Sequence, residues 1–170
     1  MEVIVVTGEK DPTPVSKTPQ PPLHTGLFPL ASQLTNFHLL TNPCQVTMPF
    51  IRSELSKQSN NLKIVVTSGS CVDDVGLTME NKCPVDVCRR LLQCGHLYPN
   101  SRHGCSETED IFVLKNSLPH FFIVGNQEEF HTGSFNGTRI VCVPKFCESQ
   151  TAVVFTKHHD IIPLKLKISF

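Results

Sequence analysis

Six prolines fall between Asp11 and Pro29, at positions 12, 14, 19, 21, 22 and 29. Each removes a backbone donor and fixes its own φ, so neither a continuous helix nor an interior strand can run through this segment. It is expected to be an extended, ordered crossing loop, pinned to a core by Leu23, Leu27, Phe28 and Leu30. Ahead of it stand Val3-Ile4-Val5-Val6, four β-branched residues that read as a buried strand. That strand runs into Thr7-Gly8-Glu9-Lys10-Asp11-Pro12, a loop of the kind that carries function.

The 170 residues suffice for one domain with a real core. Fifteen basic and fifteen acidic side chains cancel, so no basic excess marks a nucleic-acid surface. No apolar run approaches the roughly 20 residues of a membrane span. Val3–Val6 is too short for a signal-peptide core and lacks a basic flank. Read as an intracellular chain, its eight cysteines are expected to be reduced thiols, many of them buried as small apolar groups. In the same reading Asn136-Gly137-Thr138 is a turn rather than a glycosylation site.

Further along, Phe37–Leu40 and Gln45–Ile51 read as short strands separated by the turn Thr41-Asn42-Pro43. Arg52–Asn61 reads as a polar loop and Leu62–Thr67 as a strong strand. A sharp turn at Ser68-Gly69-Ser70 leads into a short helical segment carrying Val72, Val75 and Leu77. Pro84–Cys94 is the best helix, with Pro84 at its first position, Asp86 in its first turn and Gly95 at its C-terminal cap. Its apolar face is Val85, Cys88, Leu91 and Leu92. After a polar loop, Pro99–Glu109, strands are expected at Ile111–Leu114, His120–Val124, Thr138–Val143, Thr151–Thr156 and Ile161–Ile168, with Asn136-Gly137 as a hairpin turn. The fold class is α/β, strand-rich, with one or two helices.

Most constellations that suggest chemistry fail on geometry. Cys83, Cys88, Cys94, His96, His103 and Cys105 invite a zinc reading. Cys88 and Cys94, however, lie about 240° apart around a helix, and no C-x-x-C pair is present. A site from Cys94, His96, His103 and Cys105 is the remaining zinc alternative. Cys71 follows a turn but has no histidine pointed to it by the sequence, as a nucleophile would need. No phosphate-binding glycine motif occurs. His158-His159-Asp160 reads as a hairpin turn rather than a metal site.

The opening loop is more specific. An apolar strand followed by Gly-x-x-Asp resembles a calcineurin-like metallophosphoesterase, whose loop reads Gly-Asn-His-Asp or Gly-Asn-His-Glu. Here Gly8-Glu9-Lys10-Asp11 puts Glu9 for the Asn and Lys10 for the metal-binding His. A protonated lysine has no lone pair to offer a metal. The stretches VIVVTGEKDPTP, PQPPLHTGLFPLA, LLTNPCQVT, KIVVTSGSCVDDV, SLPHFFIVGNQEEF, VPKFCESQTAVV and IIPLKLKISF then follow one another in the order found in the B-subunit family of replicative DNA polymerases. Across almost the whole chain the sequence resembles that family, its delta branch in particular. Thr7 stands where the family has Pro, and Gly125-Asn126 stand where active phosphoesterases have Gly-His.

The resemblance implies the C-terminal half of a calcineurin-like phosphoesterase β-sandwich, without catalytic residues, metal or cofactor. Residues 1–170 would be a partial, inactive domain, lacking the OB-fold and the first half of the domain that precede it in the family. Met1 is then expected to mark a truncated gene model, partial transcript or isoform, with a natural short paralogue as the alternative. The degenerate active-site loops would be Gly8, Glu9, Lys10 and Asp11 with Gly125 and Asn126, and a partner interface would involve Leu23, His24 and Phe28. The implied role is a nuclear scaffold that joins the C-terminal domain of the delta catalytic subunit to further accessory subunits. It would meet DNA only through the complex, and no membrane. The alternatives are an alpha or epsilon B-subunit, or an active metallophosphoesterase. An apolar strand at Val3–Val6 without its neighbours also predicts poor solubility for the isolated chain.

Overall fold

Runs rich in Val, Ile and Phe become strands because branched and aromatic side chains pack well on a pleated surface. The computed structural model describes residues 1–13, 19–50, 60–80, 83–99, 112–114, 118–156 and 160–167. Strands β1 (Val3–Val6) and β2 (Phe37–Leu40) pair in parallel, with Val3 opposite Phe37 and Val6 opposite Leu40. Five more strands form one mixed sheet: β3 (Cys44–Phe50), β4 (Asn60–Thr67), β5 (Phe121–Gln127), β6 (His131–Phe135) and β7 (Thr138–Pro144). Their order is β3-β4-β5-β7-β6, with β4, β5 and β7 parallel. An antiparallel hairpin follows, β8 (Thr151–Phe155) and β9 (Ile161–Lys165). The helices are α1 (Ser70–Gly76), α2 (Pro84–Cys94) and the single turn α3 (Phe146–Ser149). The class is α/β and strand-rich, as expected.

Helix α2 has the expected bounds, for the expected reasons. Pro84 opens it and Asp86 sits in its first turn. Gly95 closes it at φ 64°, donating its N–H back to the Leu91 and Leu92 carbonyls. Val85, Cys88, Leu91 and Leu92 are buried, and Val87 joins them by packing towards α1. Beneath them lie Val65, Phe122, Val124, Ile140 and Cys142 from the centre of the sheet. A Cβ at Gly133 of β6 would collide with the Val85 side chain, so glycine lets α2 lie this close to the strand. On the opposite face of the sheet, the Phe155 ring of β8 stands edge-on to Phe121 at 5.3 Å. Asn136 and Gly137 both have positive φ, 44° and 84°, which suits the tight turn between β6 and β7.

Three expectations are corrected. Two 3₁₀ turns, Thr25–Leu27 and Ala31–Gln33, swing Leu27 and Leu30 into solvent, 53% and 82% exposed. Leu23 is buried, and Phe28 packs on Phe37 with ring centroids 5.4 Å apart, so these two pin the crossing loop. The described part of Ile111–Leu114 is not a strand: Val113 makes one isolated bridge to His96. There Leu97 N–H donates to the Phe112 carbonyl at 3.0 Å and Leu114 N–H to the Gly95 carbonyl at 2.8 Å. Finally, Asn60 and Asn61 belong to β4, paired with Phe50 and Pro49, rather than to a loop. The rest of Arg52–Asn61, nearly all of Pro99–Glu109, and His158 and His159 lie outside the described residues.

Phe122 is fully buried, and truncating it leaves a cavity. Phe122→Ala should cost about 3–5 kcal/mol in urea denaturation, against less than about 0.5 kcal/mol for Leu77→Ala at an exposed position.

Candidate functional site

The parallel strands deliver their carboxyl ends to one side of the molecule, the side where α/β sheets gather their working loops. Three segments meet there: the loop after β1, the crossing loop at Gln20, and the turn from β4 into α1. They are joined by Asn42, the residue that follows β2 by two positions and is 1% exposed. Its Nδ2 donates to Gln20 Oε1 at 3.0 Å and to Ser68 Oγ at 2.6 Å. Its Oδ1 accepts from Ser68 N–H at 2.9 Å and from Thr67 Oγ1 at 3.3 Å. The backbones of Gln20 and Asn42 also exchange two hydrogen bonds, at 2.8 and 3.0 Å. All four bonding positions of one buried amide are therefore filled.

Gln20 carries the network on to the opening loop. Its Nε2 donates to the Gly8 carbonyl at 3.0 Å and to Thr13 Oγ1 at 3.1 Å. Thr7, also 1% exposed, donates its hydroxyl to the Pro21 carbonyl at 2.9 Å. Within the loop, Gly8 N–H donates to Asp11 Oδ2 at 2.7 Å, so the Asp11 carboxylate closes its own turn. Glu9 and Lys10 are exposed.

The second expected loop, Gly125-Asn126, lies inside β5, where the register against β7 shifts between Val124 and Gln127. Asn126 has φ 55° and donates its Nδ2 to the Ser68 carbonyl at 3.0 Å. Gly69 turns from β4 into α1 at φ 114°, and a Cβ there would come within 2.5 Å of the Gly125 carbonyl oxygen. Both sequence-predicted loops thus hang on the same Ser68–Gly69 turn, one through Asn42 and Gln20, the other directly. The third predicted group is dispersed: Leu23 is buried, Phe28 is half-buried, and His24 is exposed. The His24 Nδ1 accepts from Gly26 N–H at 3.0 Å.

Beside this junction a cleft of about 520 Å³ opens between α1, α2 and the end of β5. Val72, Gly76, Pro84 and Val87 line it with apolar surface, and Asp73, Gln127, Glu128, Glu129, His131 and Lys145 with polar groups. Burial pushes the Asp73 carboxyl above its ordinary 3.8, as do the nearby Glu9 and Asp74, while a hydrogen bond from Gln127 and the charge of Lys145 oppose the shift. That Glu9 acts on Asp73 brings the opening loop and the cleft into one electrostatic neighbourhood.

Cys71 is fully buried behind the junction, hydrogen-bonded to Thr67 Oγ1 at 3.5 Å, and burial pushes its thiol up to about 12. A thiol held protonated in this way is a packing group, not a nucleophile. Cys88 sits against Cys142; that hydrogen bond and burial hold the Cys88 thiol protonated as well. Cys94 is exposed, and His103 and Cys105 lie outside the described residues. Among the described residues no three His, Cys, Asp or Glu side chains are placed to share an ion.

A family model for the B-subunit of DNA polymerase alpha/epsilon matches residues 1–132, from β1 into β6. The chain belongs to this B-subunit family. Similar curated proteins are delta subunits. The "DNA polymerase delta small subunit" of Arabidopsis thaliana is 32% identical over 162 residues, covering 90% of this chain and 34% of the relative. The protein of the same name in Oryza sativa subsp. japonica is 31% identical, covering 91% and 35%. The "DNA polymerase delta subunit 2" of Drosophila melanogaster is likewise 31% identical, covering 91% and 35%. The chain thus spans about a third of the length of these relatives. This B-subunit chain has its delta likeness over nearly all its residues, so the delta branch expected from the motifs is borne out.

The residues that sequence reasoning missed are the fasteners, Gln20, Asn42, Thr67 and Ser68. Asn42 and Ser68 were visible as turn residues at strand ends, but nothing local shows that the two turns bond to each other. Asn42→Ala strands Ser68 N–H and its partners in a dry site and should cost about 2–4 kcal/mol in chemical denaturation. Asn42→Asp removes two donors and should cost at least as much at neutral pH.

Proposed function

We propose that this chain is a non-catalytic, scaffolding part of a DNA polymerase delta complex. One observation carries the non-catalytic half of that reading. One polar side chain in each of the two loops that would serve a phosphoesterase is turned to the protein's own backbone: Asp11 to Gly8 N–H and Asn126 to the Ser68 carbonyl. Lys10 and Asn126 occupy the two positions where active relatives would carry histidine. In this reading Gly8–Asp11 and Gly125–Asn126 are degenerate active-site loops, and residues 1–170 are part of an inactive phosphoesterase-like domain.

The scaffolding half rests on the family and on relatives named as delta small subunits. The partners are the C-terminal domain of the delta catalytic subunit and further accessory subunits, in the nucleus, with DNA reached through the complex. A neutral chain with rigid, interlocked loops suits protein contact better than phosphate contact. His24 and the open side of Phe28 are the members of the predicted interface left facing solvent.

The test is a pull-down of the tagged chain with the C-terminal domain of the delta catalytic subunit of the same organism, beside a manganese-supplemented assay on bis-p-nitrophenyl phosphate. The reading expects retention of the catalytic-subunit domain and hydrolysis no faster than the blank. Turnover that Asp11→Asn abolishes would establish an enzyme instead. Absence of retention would remove the delta scaffold reading.

A further inference from the structure

The cleft between α1, α2 and the end of β5 has a floor and a rim of opposite character. Val72 and Val87 are buried beneath it, and Leu77 stands on its lip 77% exposed. Its rim carries Asp73, Glu128 and Glu129, with Glu9 acting on Asp73 from the opening loop. The rim's lysine and histidine each face a glutamate already. Lys145 Nζ lies 3.4 Å from Glu148 Oε1, and His131 Nε2 lies 3.9 Å from Glu129 Oε2. Among the described residues no lysine or arginine ion-pairs with Asp73 or Glu128. The rim therefore has surplus negative charge directly beside apolar surface.

We infer that this cleft docks a basic segment of a partner protein. An arginine or lysine would reach Asp73 and Glu128, while a neighbouring aliphatic side chain packs on Pro84 and Leu77, above the buried Val72 and Val87. A volume of about 520 Å³ accommodates such a pair of side chains. Nucleic acid is disfavoured, because its phosphates would meet carboxylates. A shared ion is disfavoured too, because among the described residues no three ligand-type side chains converge. Burial first, then the neighbouring Glu9 and Asp74, raise the Asp73 carboxyl, with Gln127 and Lys145 opposing the shift. The inference rests on the subunit reading above for the partner being a protein.

The test uses the full chain with labelled valine methyls, titrated with the peptide acetyl-Gly-Arg-Leu-Lys-Gly-amide. The comparisons are the same peptide with Glu in place of Arg and Lys, and Mg²⁺ alone. The basic peptide should shift the Val72 and Val87 signals saturably. Binding should weaken about fivefold or more in Asp73→Asn/Glu128→Gln, and again between about 50 and about 300 mM salt. Glu128→Gln alone, at an exposed position, should show a smaller loss with an unchanged melting temperature. No saturable shift, equal affinity for the acidic peptide, or the same shift from Mg²⁺ alone would each overturn the inference. Peptide binding that fails while the catalytic-subunit pull-down succeeds removes the cleft and leaves the subunit reading standing. The reverse result keeps the cleft and removes that reading.

Discussion

The side-chain amide of Asn42 holds the working end of this molecule together. It lies where two sheets and a proline-bound crossing loop have no regular hydrogen bonding in common, and it supplies the bonds they lack. β1 and β2 form a two-stranded sheet separate from the five-stranded one, and such a pair is marginal by itself. Bonds from Asn42 to Gln20 on one side and Ser68 on the other tie the small sheet to the larger sheet's β4–α1 turn. In a dry site each of these bonds matters, because the alternative is an unpaired buried group rather than one paired with water.

Everything at that end inherits its position from this junction. Gln20 passes the constraint to Gly8, and Asp11 closes the opening loop. Ser68 passes it to Asn126, and Gly69 lets β5 approach to a distance that a side chain would forbid. The outcome is a set of loops in which Asp11, Gln20, Asn42 and Asn126 are bonded internally, while Glu9 and Lys10 face solvent. A catalytic site needs such groups aimed at a ligand; a docking platform needs them fixed. In the scaffold reading proposed above the loops serve the second use, and the acidic cleft beside them is the face inferred to dock a basic segment.

What could be read from the sequence was whatever one segment decides for itself. α2 was legible to the residue because proline, aspartate, the apolar spacing and the capping glycine all lie within it. The strands around Phe122 and Ile140 were legible because their composition permits little else. Leu27 and Leu30 face solvent against their hydrophobicity, because Leu27 lies in a tight turn capped by His24 and Leu30 leads into a second tight turn, and no composition rule reveals either. Ile111–Leu114 has strand composition, but Phe112, Val113 and Leu114 find partners at the end of α2 rather than in a sheet. The loops at Gly8–Asp11 and Gly125–Asn126 were singled out by motif, whereas their common anchor was not. Asn42 and Ser68 are 26 positions apart, and their contact is a property of the tertiary fold.

The most direct test of the junction is native-state amide hydrogen exchange at Ser68, whose N–H donates to the Asn42 side chain rather than to another strand. If Asn42 is the fastener, the Ser68 amide and the Gln20 and Asn42 amides should exchange only through the same large opening that releases Val65 and Val124 in the core. Exchange of Ser68 at the rate of a fraying loop, with the core still protected, would mean that the sheets are held together elsewhere and that the junction is a consequence of the fold rather than its support.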